Sequence, residues 1–238
     1  MLLVAGGGVA GGCATAETSD TFRTTASFAA VKPDAPVLST SLFTADDLVV
    51  TDEAVKTILD SRVEVPADAR VAVVLLGRRP NWAGWNSDIA QASDAVYRDF
   101  LTSIESHPNV AAAEFVPQLL MPSTADIANL RLAALRMRCD MLLVYTSRTG
   151  QYEDRKLLGT DRVRAYATVE ALLIDVRTGT VPATTIITDS AEAEKTRDDK
   201  NLRDASVRAQ LDATAKAWMK MSGDVKAYFS DAVATNAN

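Results

Sequence analysis

Apolar residues along this chain keep two rhythms, a helical one of three and four residues and a strand-like one of two. Residues 70–77 form a continuous β-branched apolar run, the pattern of a strand covered on both faces. Over residues 86–107 the helical rhythm takes over. Ile89, Ala92, Val96, Phe100 and Ile104 share one face, Ser87 can cap the start, and Pro108-Asn109 stops the helix. Residues 111–120 predict a second strand. Ser123 or Thr124 then caps a helix to Arg138, with Ile127, Leu130, Ala134 and Met137 on its apolar face. Residues 141–147 predict a third strand, and residues 148–161 read as a polar loop.

Beyond that loop the pattern changes. Residues 162–176 alternate, with Val163, Ala165, Ala167, Val169, Ala171 and Leu173 on one side. Arg164, Tyr166, Thr168 and Glu170 point the other way, which predicts a strand with one core face and one wetter face. Arg177-Thr178-Gly179-Thr180 is a tight-turn signal, and residues 181–190 return as the next strand. A polar stretch over 192–201, in which Asp198-Asp199 reads as a solvated loop, leads to a long helix ending near Val233. Its stripe is Val207, Leu211, Ala215, Trp218, Val225 and Phe229. A short helix over 44–61, starting at Thr44 or Thr51, has Val55, Ile58 and Leu59 as its apolar face. The predicted class is α/β bordering on α+β: a single mixed sheet of about five strands in the order β-α-β-α-β-β-β-α, closed by a long C-terminal helix. Right-handed crossovers make the first three strands largely parallel.

The amino terminus follows neither rhythm. Residues 1–12 are apolar or small and uncharged, and Cys13 follows directly. Ala10-Gly11-Gly12-Cys13 resembles the lipobox of bacterial lipoproteins, although Ala10 stands where Leu is usual and no Lys or Arg precedes the run. A start placed too far downstream would account for the missing basic residues. The resemblance implies that Cys13 is acylated and becomes the new amino terminus. Ala14, rather than Asp, then favours the outer membrane over the inner one. Acyl chains carrying about 0.8 kcal/mol per buried methylene, palmitate among them, give stable anchoring. A Gly-rich terminus with an incidental cysteine is the other reading. Residues 14–43, rich in Thr, Ala and Ser with Pro33 and Pro36, bury too little to offset their ordering entropy and read as a disordered tether. A single domain is expected over residues 44–234, with its core from about residue 65.

Charge and composition narrow the chemistry. A net charge of -6 argues against nucleic acid as the main ligand, because phosphate binding needs a basic surface. Two cysteines, Cys13 and Cys139, and a single histidine, His107, cannot supply a tetrahedral zinc set. No metal or cofactor is expected. His107 closes a helix, where partial positive charge suits the carbonyl ends. Cys139 fits a buried, small apolar role better than that of a nucleophile. Gly77-Arg78-Arg79-Pro80 after the first strand is not a phosphate loop. Nothing in the chain points to an enzyme.

Parallel strands would gather their carboxyl-end loops, 77–87, 117–124 and 148–161, on one edge of the sheet, where open α/β sheets bind ligands. Those loops supply Arg78, Arg79, Trp82, Trp85, Tyr152 and Arg155, residue types that dominate interface energies. They are the candidate binding residues. The alternatives are a protein-docking patch, a glycan or small-ligand pocket with Trp82 and Trp85 as stacking platforms, and tryptophans folded onto the core.

Arg138-Cys139-Asp140 before an apolar strand, and Asp175 with Thr178-Gly179 in a hairpin, carry a further likeness. They resemble a group of envelope proteins that includes the curli-secretion lipoprotein, lipoprotein activators of peptidoglycan synthases and the amino-terminal domain of TolB. Arg138-Cys139-Asp140 stands where that group has Gly-Ala-Asp. The resemblance implies a non-enzymatic module, lipid-anchored and facing the periplasm, that docks onto other envelope proteins.

Overall fold

Five strands form one mixed sheet in the order β2-β1-β3-β4-β5. They are β1 (Ala69–Leu76), β2 (Val110–Phe115), β3 (Met141–Asp154), β4 (Arg162–Asp175) and β5 (Ala183–Glu194). The helices are α1 (Asp52–Asp60), α2 (Ser87–Glu105), α3 (Ile127–Arg136) and the long α4 (Leu202–Asn236). This computed structural model describes residues 42, 51–77, 87–154 and 160–236. β1 runs parallel to β2 and β3, whereas β3, β4 and β5 are successively antiparallel. The predicted α/β class and element order therefore hold.

Layering follows from the period of two. Val71, Val73, Met141, Leu143, Tyr145 and the apolar side of β4 pack with Phe100 of α2 and with Trp218 and Phe229 of α4. On the other face Ala72, Val74, Leu142, Val144 and Ile174 meet Ile127, Leu130, Ala133 and Ala134 of α3. Both faces of β1 are covered, which is why its sequence lacks polar alternation. Trp218 is the largest fully buried side chain. It meets Tyr97 and Tyr145 edge to face at 5.0 and 5.3 Å, and its Nε1 donates to Ser147 Oγ at 3.3 Å. Burying an aromatic side chain of this kind contributes about 1.5–3 kcal/mol.

Several boundaries depart from the sequence pattern. β2 stops at Phe115, and Gln118–Leu120 is a 3-10 turn rather than strand. α3 is capped by Asp126, not by Ser123 or Thr124; its carboxylate accepts from the Asn129 backbone N–H at 2.7 Å and the Asn129 amide at 2.6 Å. Thr51 caps α1, accepting from Ala54 N–H at 3.2 Å, as the second of the two expected starts; the first, Thr44, lies outside the described residues. Val55, Ile58 and Leu59 of α1 are exposed.

The Arg177–Thr180 turn is built around Asp175. Its carboxylate accepts from Arg177 N–H at 3.1 Å and Thr178 Oγ at 2.6 Å, while Gly179 takes φ +79°. Arg131 crosses the turn, donating to the carbonyls of Val176 and Arg177 at 3.0 and 2.7 Å.

Two polar groups behave differently from expectation. His107 does not cap carbonyls as a cation. Nδ1 accepts the Asn109 N–H at 3.2 Å, so Nε2 carries the proton and donates to Ser230 Oγ at 3.0 Å. Burial, and secondarily the charge of Lys226, lower its pKa and favour that neutral ring. Asp199 is not solvated either; its side chain is 4% exposed and paired with Arg208.

Candidate functional site

α3 is too short to cover its whole side of the sheet. It shields Leu142, Val144 and Ile174, but beyond Leu172 the strands run on with no helix above them among the described residues. The register sets the rows of this open face. Thr146, Glu170 and Ile186 stand side by side, followed by Arg148, Thr168 and Thr188, then Gly150, Tyr166 and Ser190, then Tyr152, Arg164 and Glu192. Alternation explains the arrangement, because the intervening residues of β4 are all buried beneath α4.

The face combines apolar surface with paired charge. Tyr152, Tyr166 and Ile186 are 46%, 41% and 73% exposed. The Arg164 guanidinium lies 5.7 Å from the centre of the Tyr166 ring and pairs with Glu192 at 3.2 Å. Arg162 pairs with Glu194 at 2.6 Å, and Thr168 and Thr188 share a hydrogen bond of 2.9 Å. Aromatic rings that already hold a guanidinium in place present contact area at low entropic cost.

Leu42 marks the border between the covered and open parts. Its carbonyl accepts from Ile127 N–H at 3.0 Å, and its side chain packs against the α3 core. Beside it is a cavity of about 150 Å³ lined by Leu76, Val144, Arg148, Glu170 and Leu172. Leu42 thus sits at the edge of the open face.

A larger cavity of about 500 Å³ lies at the opposite end of the parallel strands, lined by Glu64, Asp140, Asp175 and Arg177. Its carboxylates have structural work. Asp140 accepts from Arg70 N–H at 2.9 Å, Asp175 holds the turn described above, and Glu64 pairs with Arg177 at 3.4 Å. Among the described residues no three His, Cys, Asp or Glu side chains converge as a metal site. Cys139 is buried, and burial raises its thiol pKa, which disfavours the reactive thiolate.

Of the residues singled out in the sequence, Cys13, Arg78, Arg79, Trp82, Trp85 and Arg155 lie outside the described residues. Tyr152 is described, and it is not in a loop. Residues 148–154, expected to be irregular, continue β3 and pair with β4. Thr146 is the last β3 residue paired with β1, and Tyr152 lies about 20 Å further on at about 3.3 Å per residue. It therefore belongs to the open face rather than to a cluster of strand-end loops. Arg164, Tyr166, Ile186 and Thr188 carried no assignment from sequence. Their signal was the outward half of two alternating strands.

No family model and no curated protein matches the chain. Solved structures with some likeness include a proposed lipoprotein of Caulobacter crescentus, 12% identical, covering 68% of this chain and 90% of that one at a TM-score of 0.39. A minor lipoprotein of Acinetobacter baumannii is 8% identical, with 67% and 94% covered and a TM-score of 0.36. A hypothetical protein of Chlamydia trachomatis is 14% identical, with 68% and 98% covered and a TM-score of 0.39. At these values neither fold nor activity passes from those proteins to this chain.

Proposed function

We propose that this chain is a non-enzymatic lipoprotein of the bacterial envelope, anchored through Cys13 in the outer membrane and facing the periplasm, and that it binds another envelope protein. The docking surface is the open face of β3, β4 and β5. The observation that carries the reading is the uncovered sheet surface on which Tyr152, Tyr166 and Ile186 remain exposed among ordered ion pairs. The lipobox-like Ala10-Gly11-Gly12-Cys13 supports the anchor. No described helix is long and apolar enough to cross a membrane, so attachment through Cys13 gives the domain a route to the bilayer. The glycan-binding alternative rests on Trp82 and Trp85, which lie outside the described residues.

Crosslinking in intact cells followed by mass spectrometry tests both halves. Wild type, Cys13→Ala and a Tyr152→Ala/Tyr166→Ala double variant are compared. The expected result is an acyl mass on Cys13 and a defined envelope partner whose yield drops about tenfold or more in the double variant. Unmodified Cys13 in a cytoplasmic fraction removes the anchor. Undiminished crosslinking of the double variant removes the face.

A further inference from the structure

The sheet has two edges, and they are unequal. β2 is six residues long and β5 is twelve, and β5 pairs on its outer side with no strand among the described residues. Exposed edges normally carry charged side chains, lysine above all, an inward-pointing charge, a proline or a bulge that blocks further pairing, and of these β5 has its acids alone, with Asp189 turned toward α4. Residues 183–194 contain no Lys, Pro or Gly, and the β4–β5 register runs without a break. Nor is the strand loose: Lys220 of α4 holds Asp189 at 2.8 Å and Thr185 donates to Asp224 at 2.5 Å. It is a tied-down template whose outward backbone row is open except at Ser190, whose N–H donates to Asp189 Oδ1 at 2.8 Å and must change partner on pairing, and at Glu194, whose carbonyl accepts from Arg208 at 3.1 Å.

We propose that β5 pairs antiparallel with β5 of a second copy of this chain, on a two-fold axis at Thr188. The charge pattern of the strand selects this partner and this register. All its acids, Asp189, Glu192 and Glu194, lie in the carboxyl half, and residues 183–188 are uncharged. Antiparallel self-pairing sets the acidic half of each copy against the uncharged half of the other. Residues facing one another across the pair share a face of the sheet, so the axis must pass through a single residue. With Thr188 on the axis, residues 183–193 are paired, Thr184 opposes Glu192 of the second copy, Ile186 opposes Ser190, and Ile187 opposes Asp189. No two acids meet. An axis one residue later keeps an equal length but sets Asp189 against its own copy, a like-charge contact that disfavours the pair. Axes further away shorten the ladder. The result is a closed dimer with a continuous ten-stranded sheet, in which the two open faces lie side by side.

The test uses the full-length acylated chain in detergent. Sedimentation is expected to give a dimer, and Thr188→Lys, which places two ammonium groups on the axis, is expected to raise its dissociation constant about tenfold or more. Thr188 is exposed, so far-UV circular dichroism of the variant should match wild type. Thr188→Cys is expected to form a disulfide-linked dimer under mild oxidation at least about tenfold faster than Thr184→Cys, because the two Thr184 positions lie about 26 Å apart. A wild-type chain that sediments as a monomer overturns the proposal. So does a Thr184→Cys that crosslinks as fast as Thr188→Cys. Neither result bears on whether the open face docks an envelope protein.

Discussion

Arg138 has φ of 55°, in the left-handed region that favours glycine, and it ends α3 in a Schellman turn closed by Cys139 N–H to Ala134 O at 3.0 Å. This gives a physical reason for the Gly-Ala-Asp expected at Arg138-Cys139-Asp140: the first position needs positive φ and the third holds β1 through the Arg70 N–H. Asp199 is the residue whose environment the sequence disguised. A double-acid stretch looks solvated, yet Asp199 accepts from Thr196 N–H at 2.6 Å and from Arg208, which also donates to the Glu194 carbonyl at 3.1 Å. The Arg208 hydrogen bond, more than any other contact, holds the carboxyl well below the usual carboxylate range, against the opposing effect of burial. Because the folded pKa is depressed, the stabilisation is complete above the unfolded value of about 3.9 and is lost as pH falls through the folded value. Asp199→Asn should therefore cost about 2 kcal/mol near neutral pH. Urea unfolding from pH 7 to pH 3 should show that difference holding to about pH 5 and shrinking below about pH 4. A gap that stays constant to pH 3 would mean that Asp199 is not ionised in the pair.

At the scale of elements, what periodicity could express was legible and what pairing decides was not. The fully covered β1, the alternating β4 and the stripe of α4 each stamp one environment on a whole segment, and each was readable. The carboxyl half of β3 is polar on both faces, so Arg148 to Asp154 carried no periodic signal. It is a strand because β4 supplies a partner throughout and because α4 answers the polar groups turned inward. Gln151 bonds Ser206 and Gln210, and Ser147 accepts from Trp218. A buried polar position with a designated partner looks like loop until the partner is known. The site suffered for the same reason. Tyr152 was singled out for its residue type and assigned to a loop cluster, whereas its neighbours Arg164 and Tyr166 passed as an ordinary wet face. Amide hydrogen exchange separates the two descriptions. The alternate amides of residues 148–154 that point to β4 should be protected to an extent similar to their β4 partners, while those between them, beyond the last residue paired with β1, exchange faster. Free exchange of the β4-facing amides as well would return the segment to loop and dismantle the open face.

For the whole molecule, the anchor and the edge of the sheet make a joint demand. If Cys13 is acylated, each chain has one attachment, and a pair formed through β5 has two. A chain lacking its own attachment should then be held at the membrane by a partner that keeps one. Co-expression of tagged Cys13→Ala with wild type is expected to place part of the tagged chain in the membrane fraction, and adding Thr188→Lys to it should release that part. The three arms separate the two ideas. Wild type alone reports on the anchor, since loss of membrane association in a lone Cys13→Ala follows from the anchor and not from pairing. Retention of the tagged chain by wild type reports on association. Its reversal by a single exposed residue of β5 reports on the edge, because Thr188 faces away from α4 and its neighbour Asp189 keeps the Lys220 contact that ties strand to helix. If Thr188→Lys left retention unchanged, the chains would be meeting through another surface, and the twelve-residue edge would stand open for a strand from a different protein.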